Sequence, residues 1–298
     1  MDFNQINNYD GFQALAPYND TFFDKPNPLE NEEFMLLHKY IKQLTVPGNK
    51  FLDAGCGTGD LCFYMANNGY NVTGVDFSDN MLLVARNKLA LFKQAIEARQ
   101  AKGNISSYSK LIEPGILTSI KPALKFIAGD ITNANGFDDK FNLISMLNTL
   151  SFLKPEKLSD SIKYLYNSLH AGGFVIMNII TKVEFEHAKT INSKNDNFDY
   201  SISYNYEKDK KIQTTRYQFN QSAIVKELFN IDFIEYEHRL IDVIKLLSSN
   251  NFVITKIIPN TPVFSINDSD ISYICDAIES SFSMPNGVRN VIIAAYKQ

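Results

Sequence analysis

The chain has 298 residues, of which 45 % are hydrophobic and 21 % charged; this balance supports a sizeable core and excludes a wholly disordered or collagen-like polypeptide. Its 29 basic and 33 acidic residues leave a formal charge of −4, a poor footprint for a nucleic-acid partner. No apolar run of about 18 residues is present, so no membrane span is expected.

The opening MDFNQINNYD lacks the basic-then-apolar order of a secretory signal. Three cysteines without Cys-x-x-Cys spacing, Cys56, Cys62 and Cys275, predict a reducing, cytoplasmic setting with neither a disulfide framework nor a metal site. Residues 1–30 read as loop but hold Phe3, Tyr9, Phe12, Tyr18, Phe22 and Phe23, which predicts an arm that packs on something. Phe34, Leu37, Ile41 and Leu44 share one face of a helix over Glu32–Leu44.

A buried strand at Lys50 runs into glycines, a helix follows over 60–68, and Asn71–Asp76 is a second strand. Ser78 is a good N-cap for a long helix reaching about Ala101. Residues 103–123 form an insertion; Leu124–Ala128 and Phe141–Met146 are strand candidates. Pro155 opens a helix that Gly172 and Gly173 are expected to end, with His170 at its C-terminus. Phe174–Ile180 is another strand. Strands alternating with helices predict a parallel sheet with helices on both faces.

Beyond residue 181 the period changes to two. Phe198, Tyr200, Ile202, Tyr204 and Tyr206 alternate with polar residues, as do Gln213, Thr215, Tyr217 and Phe219, with a turn at Lys208–Lys211. This predicts a hairpin, joined by a third strand at Ile231–His238. A helix around Leu240–Leu247 and strands at Phe252–Ile258 and Val291–Tyr296 complete the sheet. The organisation expected is thus an arm and helix over 1–44, a core over 45–181, an antiparallel cap over 182–238 and a return to the core sheet over 239–298.

Between the first strand and its helix stands Asp53-Ala-Gly55-Cys56-Gly57-Thr-Gly59. Such a turn lets backbone approach a ligand where a Cβ would clash. The dinucleotide fingerprint requires a glycine at position 60, which is Asp, and a carboxylate at a helix N-terminus repels a pyrophosphate. No Lys-Ser/Thr follows, so the P-loop reading fails as well. Asp76, closing the second strand, stands where an acid accepts hydrogen bonds from ribose hydroxyls.

Phe51–Gly59 resembles motif I of the class I S-adenosylmethionine-dependent methyltransferases, and Val75–Met81 resembles their second motif. Ala128-Gly-Asp130-Ile131, Phe141–Met146 and Leu169-His-Ala-Gly-Gly173 resemble their third, fourth and fifth-strand segments, with Ala171 in place of proline. The resemblance covers about residues 45–181. It implies a Rossmann-like seven-stranded, mostly parallel sheet and S-adenosyl-L-methionine as cofactor. A narrower resemblance, to glycine N-methyltransferases and related small-molecule enzymes, rests on the long helix, the insertion, Leu147–Ser151 and the cap. Sugar amine, polyketide and quinone methyltransferases share that plan.

The resemblance also implies roles. Gly55, Cys56, Gly57 and Gly59 shape the cofactor floor, and Asp53 orients the loop or approaches the methionine end. Asp76 holds the ribose, Phe77 and Met81 line the adenine pocket, and Asp130 and Ile131 flank the adenine edge. Met146 and Leu147 lie beside the reacting methyl. For the acceptor side, His238 is the candidate base, Asn148 the orienting group, and Tyr18 a residue closing over the site. The expected activity is methyl transfer to an N or O nucleophile of a small-molecule acceptor. The alternatives are a protein or RNA acceptor, or a cofactor-binding scaffold without catalysis. The oligomeric state stays open, with a homodimer permitted.

Overall fold

The computed structural model describes residues 8–22, 31–102, 123–180, 190–194, 199–222, 225, 227–259 and 290–298. Short apolar runs that end at glycine or at a polar residue form its central strands: β1 (Lys50–Ala54), β2 (Asn71–Asp76), β3 (Leu124–Ala128), β4 (Phe141–Met146) and β5 (Leu169–Ile180). These pair in parallel, β1 with β2 and β4, β2 with β3, and β4 with β5. β10 (Phe252–Pro259) and β11 (Asn290–Lys297) finish the sheet, β11 running antiparallel to both β5 and β10. The seven-stranded order is β10-β11-β5-β4-β1-β2-β3.

Alternate residues of these strands feed two cores, as a doubly covered sheet requires. On one side Leu52, Ile144 and Val175 meet Leu158, Ile162 and Leu165 of α6 (Pro155–Ser168) and Val243 and Leu247 of α7 (Leu240–Ser249). On the other, Phe51, Leu143 and Ile176 meet α3 (Glu32–Ile41), α4 (Asp60–Asn67) and α5 (Asp79–Lys102) through Leu37, Phe63 and Leu82.

The cap is a four-stranded antiparallel sheet: β6 (Ile191–Lys194), β7 (Asp199–Glu207), β8 (Ile212–Phe219) and β9 (Phe229–Tyr236). It has one more strand than the period-two pattern predicts, and its last strand begins two residues earlier. Its Ile202, Phe219, Ile231 and Phe233 form a third core with Leu15 and Ala16 of the arm and Met81 of α5. Of the arm's aromatics, Tyr9, Phe12 and Tyr18 make ring contacts as expected: Phe12 of α1 (Asn8–Leu15) lies 4.7 Å from Phe233, ring centre to ring centre. A short helix, α2 (Asn19–Phe22), follows.

One boundary differs from expectation. α6 stops at Ser168, not at Gly172–Gly173, and His170 lies exposed in β5 rather than at a helix C-terminus. The reason is sheet pairing: Leu169 is already in register with Phe141 of β4, so the chain must be extended there. Phe3, Phe23, His187, Phe198, Cys275 and nearly all of the 103–123 insertion lie outside the described residues. Among the described residues no helix is long and apolar enough to cross a membrane.

Candidate active site

Strand order reverses between β1 and β4: β2 and β3 lie to one side, β5 to the other. In such sheets a crevice opens at this point, beyond the carboxyl ends of the strands. Here a cavity of about 990 Å³ lies there, lined by the loops after β1, β2, β3 and β4, by the arm, and by the ends of β5, β9 and β11.

The loop after β1 carries Gly55, Gly57 and Gly59 at φ 83°, 53° and 85°, a left-handed region that costs other L-residues about 1–2 kcal/mol. Each has a different local reason. A Cβ on Gly55 would stand 2.3 Å from Thr149 of the β4 loop. A Cβ on Gly59 would stand 2.7 Å from the Phe126 ring of β3. A Cβ on Gly57 would meet nothing within 4 Å. Gly57 therefore leaves open a space that a ligand can enter, and Gly59 serves close packing. Gly55, Cys56 and Gly57 line the cavity; Gly59 is not among its lining residues.

Asp76 ends β2 with both carboxylate oxygens anchored. One accepts the Gly57 N–H at 2.8 Å and the other the Ser78 N–H at 2.9 Å. Burial pushes its pKa up, and these amides oppose the shift. Each oxygen keeps a second lone pair for a ligand hydroxyl. Asp53 is 5 % exposed, accepts the Ser145 hydroxyl at 2.6 Å and the Cys62 thiol at 3.4 Å, and is pushed up to about 6, chiefly by burial. Asp53, Asp60, Asp76 and Asp130 make this wall acidic. Lys88 pairs with Asp60 at 2.7 Å and with Asp20 of the arm at 2.8 Å. The arm also touches the glycine loop directly: Thr58 Oγ1 donates to Asp20 at 2.7 Å and accepts from Asn19 at 3.3 Å.

Phe77, Met81, Asp130, Ile131, Leu147 and Asn148 also line the cavity. Phe77 faces Tyr9 and Phe12 of α1, at 5.8 and 5.7 Å between ring centres. Asp130 Oδ1 accepts the Thr132 N–H at 2.8 Å, which tightens the loop after β3. Met146 is fully buried in the core beneath the site and does not line it.

Two acceptor-side candidates are placed elsewhere. Tyr18 packs on Phe219 and Phe229 in the cap core and does not line the cavity. His238 is buried, and its Nε2 lies 3.0 and 2.9 Å from the carbonyl oxygens of Leu150 and Leu153. Carbonyls only accept, so Nε2 carries a proton and donates it to both. The imidazole thus ties the cap to the turn after β4, and that nitrogen is unavailable as a base. Burial lowers its pKa. Among the described residues no histidine lines the cavity.

Sequence reasoning missed Asn178 of β5 and Asn290 of β11, which line the cavity beside Asn148. The signal for Asn178 was present: it is the one polar side chain within the apolar run Phe174–Ile180. Cys56 and Cys62 are buried free thiols.

Residues 52–177 match the family described as a methyltransferase domain. A provisionally named methyltransferase of Geobacillus sp. (strain WCH70) is 26 % identical over 153 residues, 51 % of each chain. The ubiquinone biosynthesis O-methyltransferase of Coxiella burnetii (strain Dugway 5J108-111) is 48 % identical over 81 residues, 25 % of this chain and 35 % of that one. This chain spans about half the length of the first curated relatives it matches. Among solved structures, an S-adenosylmethionine-dependent methyltransferase from Clostridium acetobutylicum ATCC 824 superposes with a TM-score of 0.63 at 18 % identity, covering 98 % of this chain and 99 % of that one. At that identity the superposition establishes the fold.

Proposed function

We propose that the chain, whose residues 52–177 match the methyltransferase domain family, is a class I S-adenosylmethionine-dependent methyltransferase that moves a methyl group to an N or O nucleophile of a small-molecule acceptor by in-line displacement. The observation that carries this reading is the two-sided cavity. One wall is a glycine cradle with acidic groups; the rest of the lining includes neutral amides, apolar side chains and Tyr236 from β5, β9 and β11, with Lys154 and Lys157 at the start of α6. The open space at Gly57 and the anchored carboxylate of Asp76 suit a nucleoside without phosphates.

S-adenosylmethionine, when bound, supplies an electrophilic methyl on a sulfonium that leaves as a neutral thioether, so no side chain has to protonate the leaving group. Asp76 holds the ribose, Asp130 and Ile131 flank the adenine, and Asp53 faces the methionine end. Phe77, Tyr9 and Phe12 exclude water from above. Asn148 orients the acceptor. Alignment of this kind supplies roughly 7–11 kcal/mol of a barrier.

A small-molecule acceptor is further supported by the likeness to an amino pentose methyltransferase from Micromonospora echinaspora and to a glycopeptide N-methyltransferase. The cytoplasm is the compartment proposed. The test is a panel of amines, phenols and carboxylates incubated with S-adenosylmethionine, with S-adenosylhomocysteine release measured. Cofactor binding without turnover on any small molecule would favour a macromolecular acceptor or a scaffold role and overturn the proposal.

A further inference from the structure

Resting on that reading, we infer that Asn178 is a positioning residue: it locks the Asn148 amide so that its two N–H hydrogens are offered to the cavity, where they hold an oxygen atom of the acceptor close to its nucleophile. The geometry determines the direction. Asn148 follows β4 with φ 51°, in the left-handed region. Its backbone N–H donates to Asn178 at 2.6 Å. A backbone N–H can only donate, so the atom it meets must be Asn178 Oδ1. That places Asn178 Nδ2 toward Asn148, 2.7 Å from an atom that must then be Oδ1. What remains of the Asn148 amide is its NH2, with no partner among the described residues, on an exposed side chain lining the cavity.

A turn residue alone would not need this relay. The Asn148 N–H could be satisfied by any oxygen, and glycine adopts a positive φ more readily than asparagine. Asn178 sits 5 % exposed between Met177 and Ile179, both 1 % exposed or less. A polar group is costly there unless fully bonded. The donor offered is neutral, and it selects an oxygen lone pair: a hydroxyl, a carbonyl or a carboxylate. This donor therefore suits an acceptor that bears an oxygen near an N–H or O–H nucleophile.

The experiment compares matched probes that differ by that oxygen: ethanolamine against ethylamine, and catechol against phenol. Turnover is measured with S-adenosylmethionine, and binding by saturation-transfer NMR on protein loaded with S-adenosylhomocysteine. The wild type should favour the oxygen-bearing member by about tenfold, the scale of one hydrogen bond. Asn148→Gly keeps the left-handed turn and removes the amide. Asn178→Asp still accepts the Asn148 N–H but cannot donate, so the Asn148 amide turns over. Both should bind S-adenosylmethionine as the wild type does and lose the preference. If Asn178→Asp fails to fold, Asn148→Gly decides. A wild type with no oxygen preference in either readout, or an Asn148→Gly variant that keeps it, overturns the inference. A wild type that binds no S-adenosylmethionine overturns the methyltransferase reading instead.

Discussion

Replacing Asp53 by Asn removes a buried charge while keeping its shape. Asp53 sits at the end of β1 with one hydroxyl and one thiol donor. Burial outweighs both and pushes its pKa from 3.8 to about 6. At about 1.36 kcal/mol per pKa unit, ionising it in the folded chain costs about 3 kcal/mol. The folded state holds the proton longer than the unfolded state does. Stability is therefore lost as pH rises from about 4 to 6 and stays lost above that. Asn carries no such charge, and its Oδ1 still accepts the Ser145 hydroxyl. Asp53→Asn should therefore be more stable than wild type by about 3 kcal/mol at pH 8 and by about half of that at pH 5. Urea unfolding of both proteins at the two pH values measures this. Calorimetry at pH 8 should show the same variant losing affinity for S-adenosylmethionine, whose ammonium the charge is proposed to meet. A stability gap that does not change between pH 5 and 8, or a variant less stable at pH 8, would refute the reasoning.

Asp76→Ala should cost about 1.5–3 kcal/mol of cofactor affinity, the range for hydrogen bonds to a charged group, read by titration calorimetry. Gly57→Ala and Gly59→Ala should separate binding from packing. The first should fold and lose cofactor affinity; the second should lower the Tm, because its Cβ meets Phe126 at 2.7 Å. His238→Ala leaves the Leu153 carbonyl without this donor, while the Leu150 carbonyl keeps the Leu153 N–H at 3.1 Å; the expected cost in urea unfolding is about 1–3 kcal/mol. Because burial lowers the His238 pKa, the unfolded chain takes the proton first. Wild-type stability should therefore fall as pH drops below about 6.5, and His238→Ala should lose that part of the dependence.

Local pattern determined most of the framework. β2, β3 and β4 were legible to the residue, and β1 from its start at Lys50, because a buried parallel strand is a short apolar run bounded by glycine or polar residues. The glycine loop and Asp76 were legible because close backbone approach and a carboxylate at a strand end leave few alternatives. Period two revealed β7 and β8, whose inner face is covered by the arm. Pairing across the sheet decided what local sequence could not: α6 ends at Ser168 because Leu169 is claimed by Phe141. The acceptor side was decided by tertiary structure almost entirely. Asn148 and Asn178 lie on separate segments, and no spacing in the chain announces that they meet. Tyr18 and His238 carried chemistry suited to a site but are spent on packing and on two carbonyls. A side chain's chemistry can be read from its identity; which buried donor or acceptor it must satisfy depends on neighbours that only the folded chain brings near.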